Sequence, residues 1–549
     1  MRLTNYSSIR ETRAEQRLIC QTRASSRDPA TFKVVHTTAG SMQTPLTISD
    51  FINRASTVFS RRIGVADEPG DVGASLGDLS YGDVVQMARG QAAALDAMEI
   101  GLGERVAIVS KNSARMLVSF FGVSGFGRVL VPVNFRLNRE EIAYILEHSG
   151  ATLLLVDPEL DEPLAGIGPR RIVLNHDGDR QLFAATAEPQ VWAGSEDALA
   201  TINYTSGTTA RPKGVCLTHR NLWINATVFG LHLGVTDRDV YLHTLPMFHA
   251  NGWGMPYVLA GLGAKQVVLR NVDGAEILRR VEQHGVTLMC GAPTVVATVL
   301  AAAQQWDEPI PGRDRVRIVV AGAAPPTQLI ERVENELGWE FIQAYGLTET
   351  SPILTVNRAS LEDDSLTSAD RARRLVRAGA PVLGASLQTD SVGEVMARSN
   401  VVLDRYWDDS QATDNAIRDG WFYTGDGGRI DDEGFLTILD RRKDVIITGG
   451  ENVASIEVED TLFSHPAVAE VAVIGLPHET WGETVAAIVV LNPEATATER
   501  ELIDFARERL THFKCPTIVR FCDSLPRTAT GKLQKYKLRT LHQSGESTT

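Results

Sequence analysis

Cysteine is scarce. The chain of 549 residues carries five, Cys20, Cys216, Cys290, Cys515 and Cys522, with no CxxC pair among them, so neither a disulfide framework nor a zinc cluster is indicated. That usage fits a reducing, cytoplasmic setting. Long apolar runs are missing as well: PTVVATVLAAA from Pro293 is among the longest and falls far short of a bilayer span, so no transmembrane segment is expected. Positive charge is in deficit, with 54 Lys and Arg against 68 Asp and Glu and a net charge of −14, which argues against a nucleic-acid surface and leaves small-molecule chemistry as the starting point. Three catalytic signatures fail on spacing. GVSGF at Gly122 lacks the second glycine of a serine-hydrolase elbow, HETWGE at His478 lacks the second histidine of a zinc HExxH motif, and Gly207 is not followed at Walker spacing by Gly-Lys-Ser/Thr.

What remains is a soluble composition, 43% hydrophobic and 22% charged, on a chain too long for one core. Residues 1–41 are rich in Arg, Ser and Thr and read as a disordered extension without a secretory apolar core. From about residue 100, ERVAIVS, NSARMLVSFFGV, RVLVPVN, REEIAYILEHSG and TLLLV alternate strand and helix. VRIVVAG followed by PPTQLIERVENELG repeats the alternation. Parallel strands covered by helices follow, hence an α/β domain over 42–440. After Asp440, charged RRKD, glycine-bearing ITGGEN, VAEVAVIG, TVAAIVVL and helical TERELIDFARERL predict a small α+β domain over 441–540, and 541–549 reads as a disordered tail.

One stretch concentrates unusual chemistry. Tyr204 to Asn221 reads YTSGTTARPKGVCLTHRN. The hydroxyls of Ser206, Thr208 and Thr209, the glycine at Gly207 and the ammonium of Lys213 suit a phosphate held on a loop after a strand, though an ordinary polar turn shares the same ingredients. Companions follow in order: AGAAPP at Ala321, QAYGLTETSP at Gln343, YTGDGGRID at Tyr423, DRRKDVIITGGENVASIEVE at Asp440 and PRTATGKLQKYKLR at Pro526. Together they resemble the adenylate-forming superfamily of acyl-CoA synthetases, luciferases and peptide-synthetase adenylation domains, from about Met42 to Leu538.

The resemblance implies a large N-terminal domain of layered sheets with helices and a small mobile C-terminal domain that swings on a hinge. It implies an acyl-CoA synthetase using ATP, Mg2+ and coenzyme A, which makes an acyl-adenylate from a carboxylic acid and passes the acyl group to the thiol. By resemblance, Thr205, Ser206, Gly207, Thr208, Thr209 and Lys213 meet the phosphates. Gly322, Ala323 and Ala324 wall the adenine, with Gln343, Ala344, Tyr345 and Gly346 beside it. Thr348 contacts the α-phosphate, Glu349 with Thr205 holds the metal, and Asp426 and Arg441 reach the ribose. Lys532 resembles the catalytic lysine of the small domain, Lys443 the hinge, and Gly449, Gly450 and Glu451 the loop that admits the pantetheine arm. On the acyl side, LPMFHANGWGMPY places His249, Ala250 and Trp253, with His249 at the carboxylate end. Gly252, Gly254, Gly261 and Gly263 suggest space, and therefore a medium- or long-chain or bulky hydrophobic acid.

Two positions depart from the pattern. Ala210 stands where the loop usually has glycine, and at positive φ a methyl group there would cost roughly 1 kcal/mol. The hairpin before Gly393-Glu394 is abbreviated, and Ser399-Asn400 replaces a Gly-Pro. Both bear on adenylation, so three alternatives stay open: a ligase specialised for thioester formation from an acyl-adenylate supplied by a separate adenylating partner, an acyl-AMP ligase loading a carrier protein, and a non-enzymatic nucleotide binder. A homodimer is left open.

Overall fold

The computed structural model describes residues 43–69, 75–205, 211–441, 444–527 and 533–543. Two large sheets organise the first four hundred residues. The seven-stranded sheet runs Arg405–Tyr406, Lys213–Thr218, Leu199–Thr205, Val129–Val133, Arg105–Val109, Ala151–Val156, Arg171–Val173. Its last five strands are parallel, and its first two pairings are antiparallel. A nine-stranded sheet is parallel through its centre, where Arg317–Val320 lies between Leu288–Gly291 and Glu340–Gly346. Val106, Ala107, Ile108 and Val109 are all fully buried. Such unbroken apolar strands are what a sheet covered on both faces requires.

The helix Arg139–Ser149 illustrates how local chemistry sets its limits. Asn138 and Glu141 form a reciprocal cap at its start, and Gly150 at φ 62° closes it. Ile142, Ile145 and Leu146 face the core, which leaves Tyr144 and His148, four residues apart, together on another face.

A third sheet, five-stranded and antiparallel, is not evident in the βα alternation of the sequence. It contains Ala385–Thr389, Glu394–Ser399, Ile417–Arg418, Trp421–Ile430 and Leu436–Arg441. Buried and less buried positions alternate along Trp421–Ile430, but glycines at 425, 427 and 428 mask that period in hydropathy.

The small C-terminal domain has its own five-stranded sheet, in which Val468–His478, at one edge, pairs along its length with Gly482–Leu491. Val471, Val473, Val485, Ala487 and Val489 pack one face with Leu502, whereas Ala472, Ile474, Ala486 and Ile488 pack the other with Leu538. Alternating side chains of a pleated pair thus build two cores from one ribbon. The helix Lys535–Gln543 continues past 541, where the tail was expected to begin. Leu538, 3% exposed, anchors it. The protein is therefore α/β, with a large N-terminal part and a small α+β domain.

Candidate active site

Three residues far apart in sequence meet at the end of the strand Glu340–Gly346. The Tyr345 hydroxyl donates to Asp426 Oδ2 at 2.8 Å, and Arg441 Nε lies 3.5 Å from Asp426 Oδ1. Asp426 and Arg441 are directly opposite on antiparallel strands, so the register of that hairpin sets their spacing. Burial, reinforced by the Asp426 charge, holds the Tyr345 phenol well above its ordinary range. It stays a donor at neutral pH. A carboxylate, with two acceptor oxygens, is the side chain suited to two vicinal hydroxyls.

Gly322, Ala323 and Ala324 lie exposed just beyond the strand Arg317–Val320. Gln343 and Ala344 are buried, at 5% and 1%, and Gln343 Oε1 has no hydrogen-bond partner among the described residues. A Cβ on Gly346 would stand 1.6 Å from the Pro352 carbonyl oxygen, so no other residue fits that turn.

A second cluster forms around Glu349. The Thr348–Thr350 turn presents its carboxylate, and Tyr406 donates to Oε1 at 2.9 Å. Lys213 Nζ lies 5.2 Å from the centre of the Tyr406 ring. Thr205 pairs with Lys213 across the hairpin. Ser206, Gly207, Thr208, Thr209 and Ala210 lie outside the described residues, as do Lys443 and Lys532. Among the described residues no three His, Cys, Asp or Glu gather as a metal cage. One carboxylate with spare lone pairs fits Mg2+, which keeps waters and takes phosphate oxygens.

The two feet of the hairpin rest on one helix. His148 Nδ1 shares a 2.8 Å hydrogen bond with the Tyr204 hydroxyl, and the Arg211 guanidinium lies 5.2 Å from the Tyr144 ring centre. Tyr144 and His148 are the pair four apart on Arg139–Ser149. The sequence contains this spacing, but nothing in it says that the helix faces the loop.

On the acyl side, His249 is half-buried beside Phe248, ring centroids 6.4 Å apart, and Ala250 and Trp253 are each 3% exposed. Ala250, Asn251, Gly252 and Trp253 hold φ of 36°, 46°, 57° and 56°. This left-handed turn costs roughly 1–2 kcal/mol at each of its three non-glycine positions. It is held from outside: Asn225 Nδ2 donates to the Trp253 carbonyl at 3.3 Å. The glycines do not leave space, contrary to the expectation from sequence. A Cβ on Gly254 would stand 2.7 Å from Asn225 Nδ2, on Gly261 2.7 Å from Phe51, on Gly263 2.5 Å from Phe59 and on Gly252 3.3 Å from Pro256. They mark close packing and positive φ.

Gly449, Gly450 and Glu451 sit at an exposed hairpin of the small domain, the glycines at φ 59° and 87°. Positive φ at both central residues suits a tight two-residue turn. The Gly449 N–H donates to the Trp481 carbonyl at 2.9 Å.

Two further contacts tie the domains and carry no sequence signal. Buried Asp440 accepts from Ser455 N at 3.0 Å and from its hydroxyl, which also bonds Lys535, itself 2.8 Å from Glu459. Burial alone would lower the Lys535 pKa, but the carboxylates of Glu459 and Asp440 raise it above the usual lysine value. Asp460 accepts from Thr327 N at 2.8 Å and from Thr327 Oγ1 at 3.0 Å, capping a helix that has no side-chain cap from its own N-cap residue.

In this two-domain α/β protein a tyrosine, an aspartate and an arginine converge at the end of one strand of the nine-stranded sheet. The description "AMP-binding enzyme" matches residues 65–407, and "AMP-binding enzyme C-terminal domain" matches 457–532. The chain belongs to this AMP-binding, adenylate-forming superfamily, in the class of AMP-forming acid–thiol ligases. It is similar to 4-hydroxybutyrate–CoA ligase 2 of Metallosphaera sedula, 38% identical over 82% of this chain and 87% of that one. It is also similar to a 2-methylpropanoate–CoA ligase of Humulus lupulus, 35% identical over 92% and 96%. Among solved structures, O-succinylbenzoate coenzyme A synthetase of Bacillus subtilis with ATP and magnesium superposes with a TM-score of 0.77 at 29% identity, covering 89% of this chain and 99% of that one.

Proposed function

We propose that the protein converts a compact carboxylic acid to its CoA thioester in two half-reactions. An acid oxygen attacks the ATP α-phosphorus and pyrophosphate leaves. The CoA thiol then attacks the acyl carbon and AMP leaves. The convergence of Tyr345, Asp426 and Arg441 carries the reading. A phenol to lie against a base, a carboxylate to take ribose hydroxyls and a guanidinium to reach phosphate are the parts a nucleotide needs in that order.

Thr205 and Lys213 meet the triphosphate from the hairpin, and Thr348 meets the α-phosphate. Glu349 supplies an oxygen to Mg2+, whose chemistry when bound is neutralisation of phosphate charge. His249 faces the carboxylate end of the acid. Lys532 supplies the ammonium for the first half-reaction; Gly449, Gly450 and Glu451 admit the thiol in the second, after rotation at Lys443.

Packing supports a size class for the acid. Trp253 at 3% exposure, Phe248 at 6% and the filled glycines make the segment beside His249 tightly packed, which supports a short acid over a long one. Short or branched acids suit this packing better than the medium- or long-chain or bulky acids expected from the glycines, and the two relatives named for 4-hydroxybutyrate and 2-methylpropanoate are in keeping with that.

The test is a panel of acids from two to sixteen carbons, assayed for AMP, pyrophosphate and acyl-CoA, with a synthetic acyl-adenylate alongside. Four- to six-carbon acids should lead, and Trp253→Ala should move the optimum to longer chains. A wild-type optimum beyond ten carbons would overturn the size assignment. Acyl-CoA from the adenylate but none from acid and ATP would identify a thioesterification specialist. No thioester from either would overturn the ligase reading.

A further inference from the structure

Tyr406 touches both halves of the phosphate side at once. Its hydroxyl donates to Glu349 Oε1 at 2.9 Å, while its ring lies beneath the Lys213 ammonium at 5.2 Å. The residue is 9% exposed. It belongs to a short strap, Leu403–Trp407, that joins the two large sheets. Tyr406 pairs with Val215 at the edge of the seven-stranded sheet, with Trp407 N donating to Gly214 O at 2.7 Å and Asp404 N to Cys216 O at 3.0 Å. On the other side Leu403 N donates to the Glu349 carbonyl at 2.7 Å. The strap therefore fixes the distance between a hairpin of one sheet and a turn of the other, and Tyr406 is its side-chain contact to both charged groups.

Glutamate and lysine side chains are long and lose considerable rotamer freedom when ordered. A phenol on Oε1 holds the carboxylate in one orientation while leaving Oε2 and one lone pair of Oε1 for another ligand. The ring face attracts an ammonium through its quadrupole without neutralising it, so Lys213 stays charged for a phosphate.

We propose that Tyr406 is a positioning residue for adenylation: it aligns Glu349 toward a divalent cation and Lys213 toward the triphosphate, so that both close on one metal–nucleotide complex. This rests on the ligase reading. It assigns Tyr406 to the metal-dependent half-reaction and not to thiol transfer.

Two variants of the full chain separate the contacts. Tyr406→Phe removes the hydrogen bond and keeps the ring; Tyr406→Leu removes both. With Mn2+ as the probe, its affinity for the protein–ATP complex is read from the free-ion electron paramagnetic resonance signal without any acid present, and ATP affinity without metal is read by calorimetry. Tyr406→Phe should weaken Mn2+ about tenfold and leave metal-free ATP affinity within about twofold. Tyr406→Leu should also weaken metal-free ATP binding, by about threefold to fivefold. Thioester formation from a preformed acyl-adenylate should fall by no more than about twofold in both. Wild-type Mn2+ affinity in Tyr406→Phe would overturn the proposal, as would equal losses in both half-reactions. If Tyr406→Leu does not fold, Tyr406→Phe decides alone. Failure of the ligase reading would show separately, as wild-type protein that makes no thioester from any adenylate.

Discussion

The Tyr345 hydroxyl reaches across 81 residues of sequence to Asp426 Oδ2, and Arg441 approaches the opposite oxygen. One carboxylate therefore links the end of the nine-stranded sheet to the hairpin that leads into the small domain. A hydrogen bond to a charged group contributes about 1.5–3 kcal/mol. Tyr345→Phe should thus lower kcat/KM for ATP by about tenfold to a hundredfold, and Asp426→Ala by more, with circular dichroism unchanged. Steady-state kinetics check this, and a Tyr345→Phe enzyme at wild-type kcat/KM would remove the pair from nucleotide binding.

The helix Arg139–Ser149 should act on the phosphate hairpin through Tyr144 and His148. Tyr144→Leu and His148→Leu should raise KM for ATP about threefold to tenfold, and their combined loss should exceed the sum in free energy, because both feet of one loop are released. Tyr144→Phe, which keeps an aromatic face for Arg211, should recover most of its share. Pyrophosphate exchange measures the effect; thioester formation from a supplied adenylate should stay near wild type.

Two buried imidazoles make stability fall on mild acidification. Burial pushes the His219 pKa down to about 3 and the His243 pKa down to about 4, whereas in the unfolded chain both titrate near 6.5. Below that value the unfolded chain binds more protons than the native one, so their contribution is present above pH 6.5 and is lost as pH falls. The limiting slope is about 1.4 kcal/mol per pH unit for each histidine. Urea unfolding between pH 7 and pH 5 should show a declining midpoint. A flat profile would mean that these rings are not buried neutral.

Asp460 caps the helix that begins at Thr327 from the other domain. Asp460→Ala should cost about 1 kcal/mol locally and speed amide exchange over the first turn, residues 327–330, about fivefold, with Asp460→Asn close to wild type. Unchanged exchange in Asp460→Ala would show that this contact does not persist in solution.

Much of the architecture was legible in the chain. Apolar strands such as Ala151–Val156, capped helices such as Arg139–Ser149 and the apolar run in Gly482–Leu491 announce themselves locally, because helix and strand geometry act over a few residues. The antiparallel sheet bearing Asp426 and Arg441 was not, since its glycines blur the two-residue period. The glycines near His249 misled in the other direction: an absent side chain reads as room, but at Gly254 and Gly263 the room is already taken by Asn225 and Phe59.

Motifs named Tyr345, Glu349, Asp426 and Arg441 one at a time, because each stands in a short pattern with its own chemistry. Their meeting was decided by the register of two strands and the crossing of two sheets, which depend on contacts between residues dozens or hundreds of positions apart. Tyr406, Tyr144, His148 and Asp460 stand in no such pattern. Their part came from burial and orientation, quantities that a linear string of residues does not contain until long-range packing sets which surfaces face one another.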